Sequence, residues 1–154
     1  MVDIRPFRAI RYTGKAGDLG GLITQPYDKI TPEMQKKYYD KSPNNYCRVI
    51  LPVEEDRYNA ARASLERFLS GHVIEKDQKP GIYVYFQEFD VFGKKFQRRG
   101  FICALRLQPY EDKVVLPHEK THQGPKIDRL NMWRATQTDT EPGFILYPDP
   151  DREV

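Results

Sequence analysis

The chain predicts an α+β fold, with a mixed sheet, a long β-hairpin and about three helices. Three observations lead there. Two runs rich in β-branched and aromatic residues flank a turn signal in mid-chain. Helical periodicity occurs in separate segments on either side, and no internal repeat or low-complexity stretch intervenes. Residues 4–12 are β-compatible and lead into residues 14–21, where four glycines in eight positions predict a flexible loop. Thr31-Pro32-Glu33 starts a helix with a capping hydroxyl, a proline at the first position and an acid in the first turn; it runs to about Tyr39. Ser42-Pro43-Asn44-Asn45 reads as a turn and residues 46–51 as a strand. Asp56 caps a helix whose apolar face is Tyr58, Ala61, Leu65, Phe68 and Leu69, ended by Gly71. Residues 82–91 and 95–107 flank Phe92-Gly93-Lys94 as the hairpin, with Phe101, Cys103, Leu105 and Leu107 on one face of the second arm. A short strand at 114–116, a helix from near Pro125 to about Ala135 and a last strand at 144–147 complete the reading.

Length and composition narrow the class. At 154 residues the whole chain, 1–154, fits one domain with a real core. Apolar residues are 39% and charged residues 31%, and mean hydropathy is −0.73, which describes a polar domain. No run approaches the ~18 apolar residues that span a bilayer, and residues 1–6 lack the apolar core of a signal peptide. A cytoplasmic protein with no membrane partner is the expectation. Cys47 and Cys103 sit in apolar runs and read as small buried hydrophobes, not as a disulfide or metal pair. A net charge of +3 does not by itself argue for nucleic acid. Ten tyrosines and eight phenylalanines suggest a β-rich core or a surface that receives something flat.

Chemistry concentrates in residues 116–129, which hold two of the three histidines, an acid between them and three cations beside two prolines and a glycine. His118-Glu119-Lys120-Thr121-His122 spells the zinc-protease pattern H-E-x-x-H. That chemistry needs a rigid helix carrying both imidazoles, and Pro117 with Gly124-Pro125 leaves room for one turn at most. A third ligand is wanting too: His72 is the other histidine, and Glu141 lies downstream. The reading that fits better is a phosphate site, in which a strand ends at Leu116, a polar loop follows and a helix starts near Pro125. Lys126 and Arg129 share a helix face with Trp133 one turn on, which suits a phosphorylated, partly flat ligand such as a nucleotide. Lys120 and Thr121 join the phosphate-facing set, while His118 and Glu119 are placed to move a proton or hold magnesium. The bland alternative is a solvated loop with a surface helix, which would have to bury Trp133 beside those charges.

Other features are secondary. Lys94, Lys95, Arg98 and Arg99 cluster near the hairpin tip and could meet a nucleic-acid backbone, although tip protection against strand pairing is the ordinary use of such charges. Asp28, in Gln25-Pro26-Tyr27-Asp28, sits where a strand hands over to a helix and could be a base, a metal ligand or a turn former. The glycines at 14–21 match neither standard phosphate loop.

An ordered set of motifs carries a resemblance. Arg5-Pro6 with Arg8-Ala9, Pro26-Tyr27-Asp28, residues 48–52, Tyr83-Val84-Tyr85, Gly100-Phe101-Ile102, His118-Glu119-x-Thr121, Pro125-Lys126-x-Asp128-Arg129 and Ala135-Thr136 stand in one order along nearly the whole chain. In this the chain resembles a family of bacterial and archaeal proteins catalogued as a domain of unknown function. Members are longer, so the resemblance is to their N-terminal portion. The family is in turn remotely similar to the ParB/sulfiredoxin-like fold, which includes partition proteins that hydrolyse nucleotides, sulfiredoxin and free serine kinases. The resemblance implies a nucleotide phosphate at a loop-to-helix junction; a sulfiredoxin cysteine has no counterpart near residues 118–129. The leading expectation is therefore a nucleotide-dependent phosphotransferase or nucleotide hydrolase, using magnesium with ATP or ADP on a small hydroxylated metabolite such as serine. Lys126 and Arg129 would bind phosphates, Glu119 or Asp28 would act as base or magnesium ligand, and His118 would assist. The alternatives are a non-catalytic nucleic-acid or partition-type module and a zinc hydrolase through His118, Glu119 and His122.

Overall fold

The structure is a computed structural model and describes residues 2–117, 122–148 and 150. In chain order its elements are strands β1 (Ile4–Arg5) and β2 (Ile10–Tyr12), helices α1 (Leu19–Leu22), α2 (Pro32–Lys41), α3 (Cys47–Ile50) and α4 (Arg57–Ser70), strands β3 (Ile74–Lys76), β4 (Tyr83–Val91), β5 (Lys94–Ile102) and β6 (Ala104–Leu105), and helix α5 (Gln123–Thr136). Short 3-10 turns lie at Tyr27–Lys29 and Tyr110–Asp112. The fold is mixed α+β. Two compact units share the chain: Met1–Ala9, Asp77–Glu119 and Pro142–Val154 form one, Ile10–Lys76 and Lys120–Glu141 the other.

The first unit is β-rich. β4 and β5 pair antiparallel from Tyr83↔Ile102 to Val91↔Lys94, and β1 pairs with β6. The connection is a two-residue loop, Phe92-Gly93, with φ of 50° and 76°. Two successive positive φ values match the twist of a hairpin, and Gly93 supplies one of them without strain. Tyr83 anchors the hairpin base: its hydroxyl donates to Asp77 Oδ2 at 2.6 Å and accepts from the Ala9 amide, while its ring meets Phe7 edge-on.

The second unit is helical, with β2 and β3 as a small antiparallel pair. Thr31 and Asp56 cap α2 and α4 as their sequences predict, accepting from the amides of Met34 and Asn59. Ala61, Leu65 and Phe68 fall on one buried face of α4, and Phe68, Leu65, Val49 and Ile74 form the core with Tyr12, Tyr46, Ile10 and Val73 against it. α4 ends at Gly71, but His72 is the residue that turns left-handed. Cys47 is fully buried and burial pushes its thiol up to about 11, so it packs as a hydrophobe; Cys103 is half-buried and also free.

Several expected strands are absent. Residues 46–51 form α3 instead, because the buried Asn45 holds the turn before it: its Oδ1 accepts from the Cys47 amide and its Nδ2 donates to Gly21 O at 2.7 Å. A short apolar run buried on all sides reads alike as strand or helix, and Asn45 decides. The predicted second hairpin arm breaks at Cys103, after which β6 turns to β1 and leaves Leu107 exposed. Residues 114–116 and 144–147 are not strands; Lys113, at φ 53°, closes the turn before the first of them. No strand therefore delivers the chain to the charged loop. Residues 14–18 of the glycine segment are turn and loop and only residues 19–21 wind into α1, and the sheets are separate two-stranded antiparallel pairs among the described residues rather than one mixed sheet.

The hairpin loop offers a direct check. Replacing Phe92, an exposed β-propensity residue at positive φ, by Asn should stabilise the hairpin by about 1 kcal/mol. Slower amide exchange along β4 and β5 would register the gain.

Candidate functional site

The polar centre of the helical unit is built around Asp128 and Arg129, adjacent residues on α5. An arginine keeps its charge wherever it is placed, so partial burial requires acceptors on several sides. Arg129, with 20% of its side chain exposed, has them. Its Nε donates to Asp128 Oδ2 at 3.0 Å and its Nη2 to the same oxygen; its Nη1 donates to Ile50 O at 3.1 Å, satisfying a carbonyl at the end of α3. The guanidinium also lies over the Tyr27 ring, 3.9 Å from its centre. Three separate chain segments thus close on one cation.

Asp128 carries the opposite charge. Only 16% of its side chain is exposed, and besides Arg129 its Oδ1 accepts from the Tyr58 hydroxyl at 2.9 Å and pairs with Arg57 Nη2, both from the first turn of α4. Burial acts to raise its proton affinity, but hydrogen bonds from Arg129 and Tyr58 and the charges of Arg129 and Arg57 outweigh it. The carboxyl is held below its ordinary value.

Glu141 completes the cluster and behaves oppositely. It sits beyond the end of α5 with Oε2 4.0 Å from Arg129 Nη1, and it accepts from the Tyr27 amide. Burial raises its proton affinity; Arg129 and the Tyr27 amide oppose this, while Asp28 and Asp128 add to it. Its Oε1 is buried with no hydrogen-bond partner among the described residues. Such an orphaned acceptor costs stability and is a common mark of a group kept ready for a ligand or proton.

Asp28, proposed from sequence, lies exposed on the 3-10 turn beside Tyr27, near enough for its charge to act on Glu141. Arg129, proposed as a phosphate ligand, is instead turned inward and held. Lys126 is exposed in the first turn of α5 and makes no side-chain bond to a described residue. That helix starts without a side-chain cap at His122 and without an acid in its first turn, so its leading amides keep their positive character. His118, Glu119, Lys120 and Thr121 lie outside the described residues. Trp133 is partly exposed. Among the described residues no three His, Cys, Asp or Glu side chains are grouped to hold a metal ion. The hairpin cations do not share a surface: strand alternation puts Lys94 and Arg98 on one face, Lys95 and Arg99 on the other.

Sequence reasoning missed Asp128, Tyr58, Arg57 and Tyr27 as members of the site, and took Glu141 only for a distant metal ligand. The available signal was the Tyr27-Asp28 and Asp128-Arg129 pairs within the ordered motifs of the resemblance, each a ring or acid beside a charge.

A family model described as "Protein of unknown function (DUF1015)" matches residues 4–154. The chain belongs to the DUF1015 family. No curated protein and no solved structure matches this DUF1015 chain. No helix among its described residues is long and apolar enough to cross a membrane.

The two carboxyls of this DUF1015 site make opposite contributions to stability. Asp128, depressed below its ordinary 3.8, contributes stability in full above that value and loses it as pH falls through the lower, folded value. Glu141, raised above 4.5, contributes stability in acid and loses it as pH rises through its folded value. Asp128→Asn should therefore cost roughly 2 kcal/mol at about pH 7 and little in strong acid, because it strands two guanidinium groups only while the carboxyl would be charged. Glu141→Gln should be neutral or stabilising at about pH 7. Urea unfolding of both variants across pH tests the sign of each.

Proposed function

We propose that the helical unit is a nucleotide-dependent phosphotransferase or nucleotide hydrolase that acts on a small hydroxylated metabolite, as a free serine kinase does. The observation that supports this reading best is the pairing of Asp28 and Glu141: an exposed carboxylate beside a second one that has a bare, buried oxygen. Phosphoryl transfer asks the protein for few covalent steps. It needs a carboxylate to take the hydroxyl proton or hold magnesium, and positive groups to meet the phosphates.

Asp28 and Glu141 suit the first task, since a hard divalent cation takes carboxylate oxygens together with substrate phosphates. Magnesium, when bound, would neutralise phosphate charge there. Lys126 and the uncapped start of α5 suit the second task. In this reading Arg129 is a positioning residue that holds the Tyr27 turn and the Glu141 segment in register, not a phosphate ligand. His118, Glu119, Lys120 and Thr121 immediately precede His122 in sequence and keep their proposed parts as acid–base and phosphate-facing groups. The resemblance of the His-Glu-x-Thr and Pro-Lys-x-Asp-Arg motifs to the ParB/sulfiredoxin-like group belongs to the same proposal.

Titration calorimetry with ADP, ATP and CTP in the presence of magnesium tests it. At least one nucleotide should bind, Lys126→Ala should weaken it about tenfold, and Asp28→Asn should abolish nucleotide-dependent phosphorylation of serine while leaving the fold intact. No heat with any of the three nucleotides, in folded protein, would remove the proposal.

A further inference from the structure

The hairpin of the β-rich unit has two unlike faces, and one of them has the character of a ligand surface independent of the helical unit. Side chains alternate along each strand, so from Tyr85 to the tip Tyr85, Gln87, Phe89 and Val91 of β4 share a face with Gly100, Arg98, Phe96 and Lys94 of β5. That face holds three rings and two cations and no carboxylate from either strand. Glu88 and Asp90 lie on the opposite face, across from Gln97 and Lys95. Along β5 the order at every second residue is cation, ring, cation: Lys94, Phe96, Arg98. Neither cation has an ion pair among the described residues. Arg98 Nη1 donates to Gln87 Oε1 at 3.2 Å, and its guanidinium is held over the Phe89 and Phe144 rings, 5.4 and 5.2 Å from their centres. Phe96, Tyr85 and Phe144 are exposed, and beside Tyr85 a Cβ on Gly100 would meet no atom within 4 Å.

The apex adds a second observation. Phe92 is fully exposed and sits at φ 50°, where a bulky side chain is strained and Asn or Gly is the ordinary occupant. Charges alone would guard a hairpin against strand pairing; an aromatic ring at the tip works against that purpose. A bare ring beside Lys94, continued down an acid-free face by Phe96 and Arg98, matches the chemistry of an unpaired nucleic-acid strand: flat bases that stack on rings, and a phosphate at every step. A duplex hides its base faces, and an acidic peptide would use the cations but leave the rings idle. We propose that this face and the hairpin tip bind single-stranded nucleic acid. Bases lie on Phe92, Phe96 and Tyr85, and phosphates meet Lys94 and the ring-held fork of Arg98. Stacking and charge carry no sequence or sugar code, so RNA and DNA strands bind alike.

Fluorescence anisotropy of labelled oligo-U and oligo-dT with the full chain, over a range of salt, tests this. Both strands should bind at low salt, and more tightly than when paired into a duplex. With two phosphate contacts, log affinity should fall against log salt with a slope of about −1.4. Lys94→Gln with Arg98→Gln should flatten that slope. Lys95→Gln with Arg99→Gln, the same change of charge on the opposite face, should leave it nearly as it was. Phe92→Asn firms the hairpin, and Phe96→Leu keeps an apolar contact with Phe89 but removes a flat face; each should weaken binding about tenfold. Unchanged circular dichroism would show that each variant folds. No binding of either strand at low salt would overturn the proposal. So would binding that ignores the ring replacements or falls equally with either pair of cations. Tip-dependent binding to phosphatidylserine vesicles, with none to either oligonucleotide, would overturn it too.

Discussion

A guanidinium cannot shed its proton, so the partly buried Arg129 obliges the chain around it to supply oxygen and negative charge from several directions. The helical unit is arranged to meet that demand. Asp128 comes from the same helix, the Ile50 carbonyl from the end of α3, the Tyr27 ring from the turn after α1, and Glu141 from the chain beyond α5. α4 enters through Tyr58 and Arg57, which hold the remaining oxygen of Asp128. Segments far apart in sequence thereby share one ion network. Its worth to stability is modest, because desolvation offsets most of the attraction, but its geometry is restrictive.

That restriction has a chemical consequence. Asp128 is saturated with donors and stays charged, whereas Glu141, raised chiefly by burial and further by two neighbouring carboxylates, binds its proton more tightly than an ordinary glutamate. Neighbouring acids whose environments push them apart are the usual basis for dividing acid and base roles. Burial of Glu141 and the donors gathered on Asp128 together set that difference, and Asp28 stands at the exposed edge of the network.

Local rules read much of the fold from sequence. Thr31 and Asp56 cap the helices they were expected to cap, and the Ala61, Leu65 and Phe68 spacing gave the buried face of α4. The hairpin followed from two β-rich runs about Phe92-Gly93. What failed was tertiary. The run 46–51 turned helical through the buried Asn45, and residues 114–116 and 144–147 had β-compatible composition but no partner strand among the described residues. In the site, Asp28 and Arg129 could be named, yet Arg129 was assigned outward because adjacent cations on a helix look alike whether they face solvent or a carbonyl. Tyr58 read as part of an apolar stripe, and only the fold shows its hydroxyl on Asp128. Glu141 had no local signal at all: its significance comes from a neighbour more than a hundred residues earlier in the chain, the Tyr27 amide.

The central claim is that Arg129 works inside the protein, lowering the proton affinity of both neighbouring carboxyls, while burial still leaves Glu141 the weaker acid. Carbon-detected NMR titration of the Asp128 and Glu141 side chains measures this directly. Asp128 should titrate below 3.8 and Glu141 above 4.5, and replacing Arg129 with Gln should raise both. Two carboxyls titrating at their ordinary values, unmoved by loss of the guanidinium, would contradict the account.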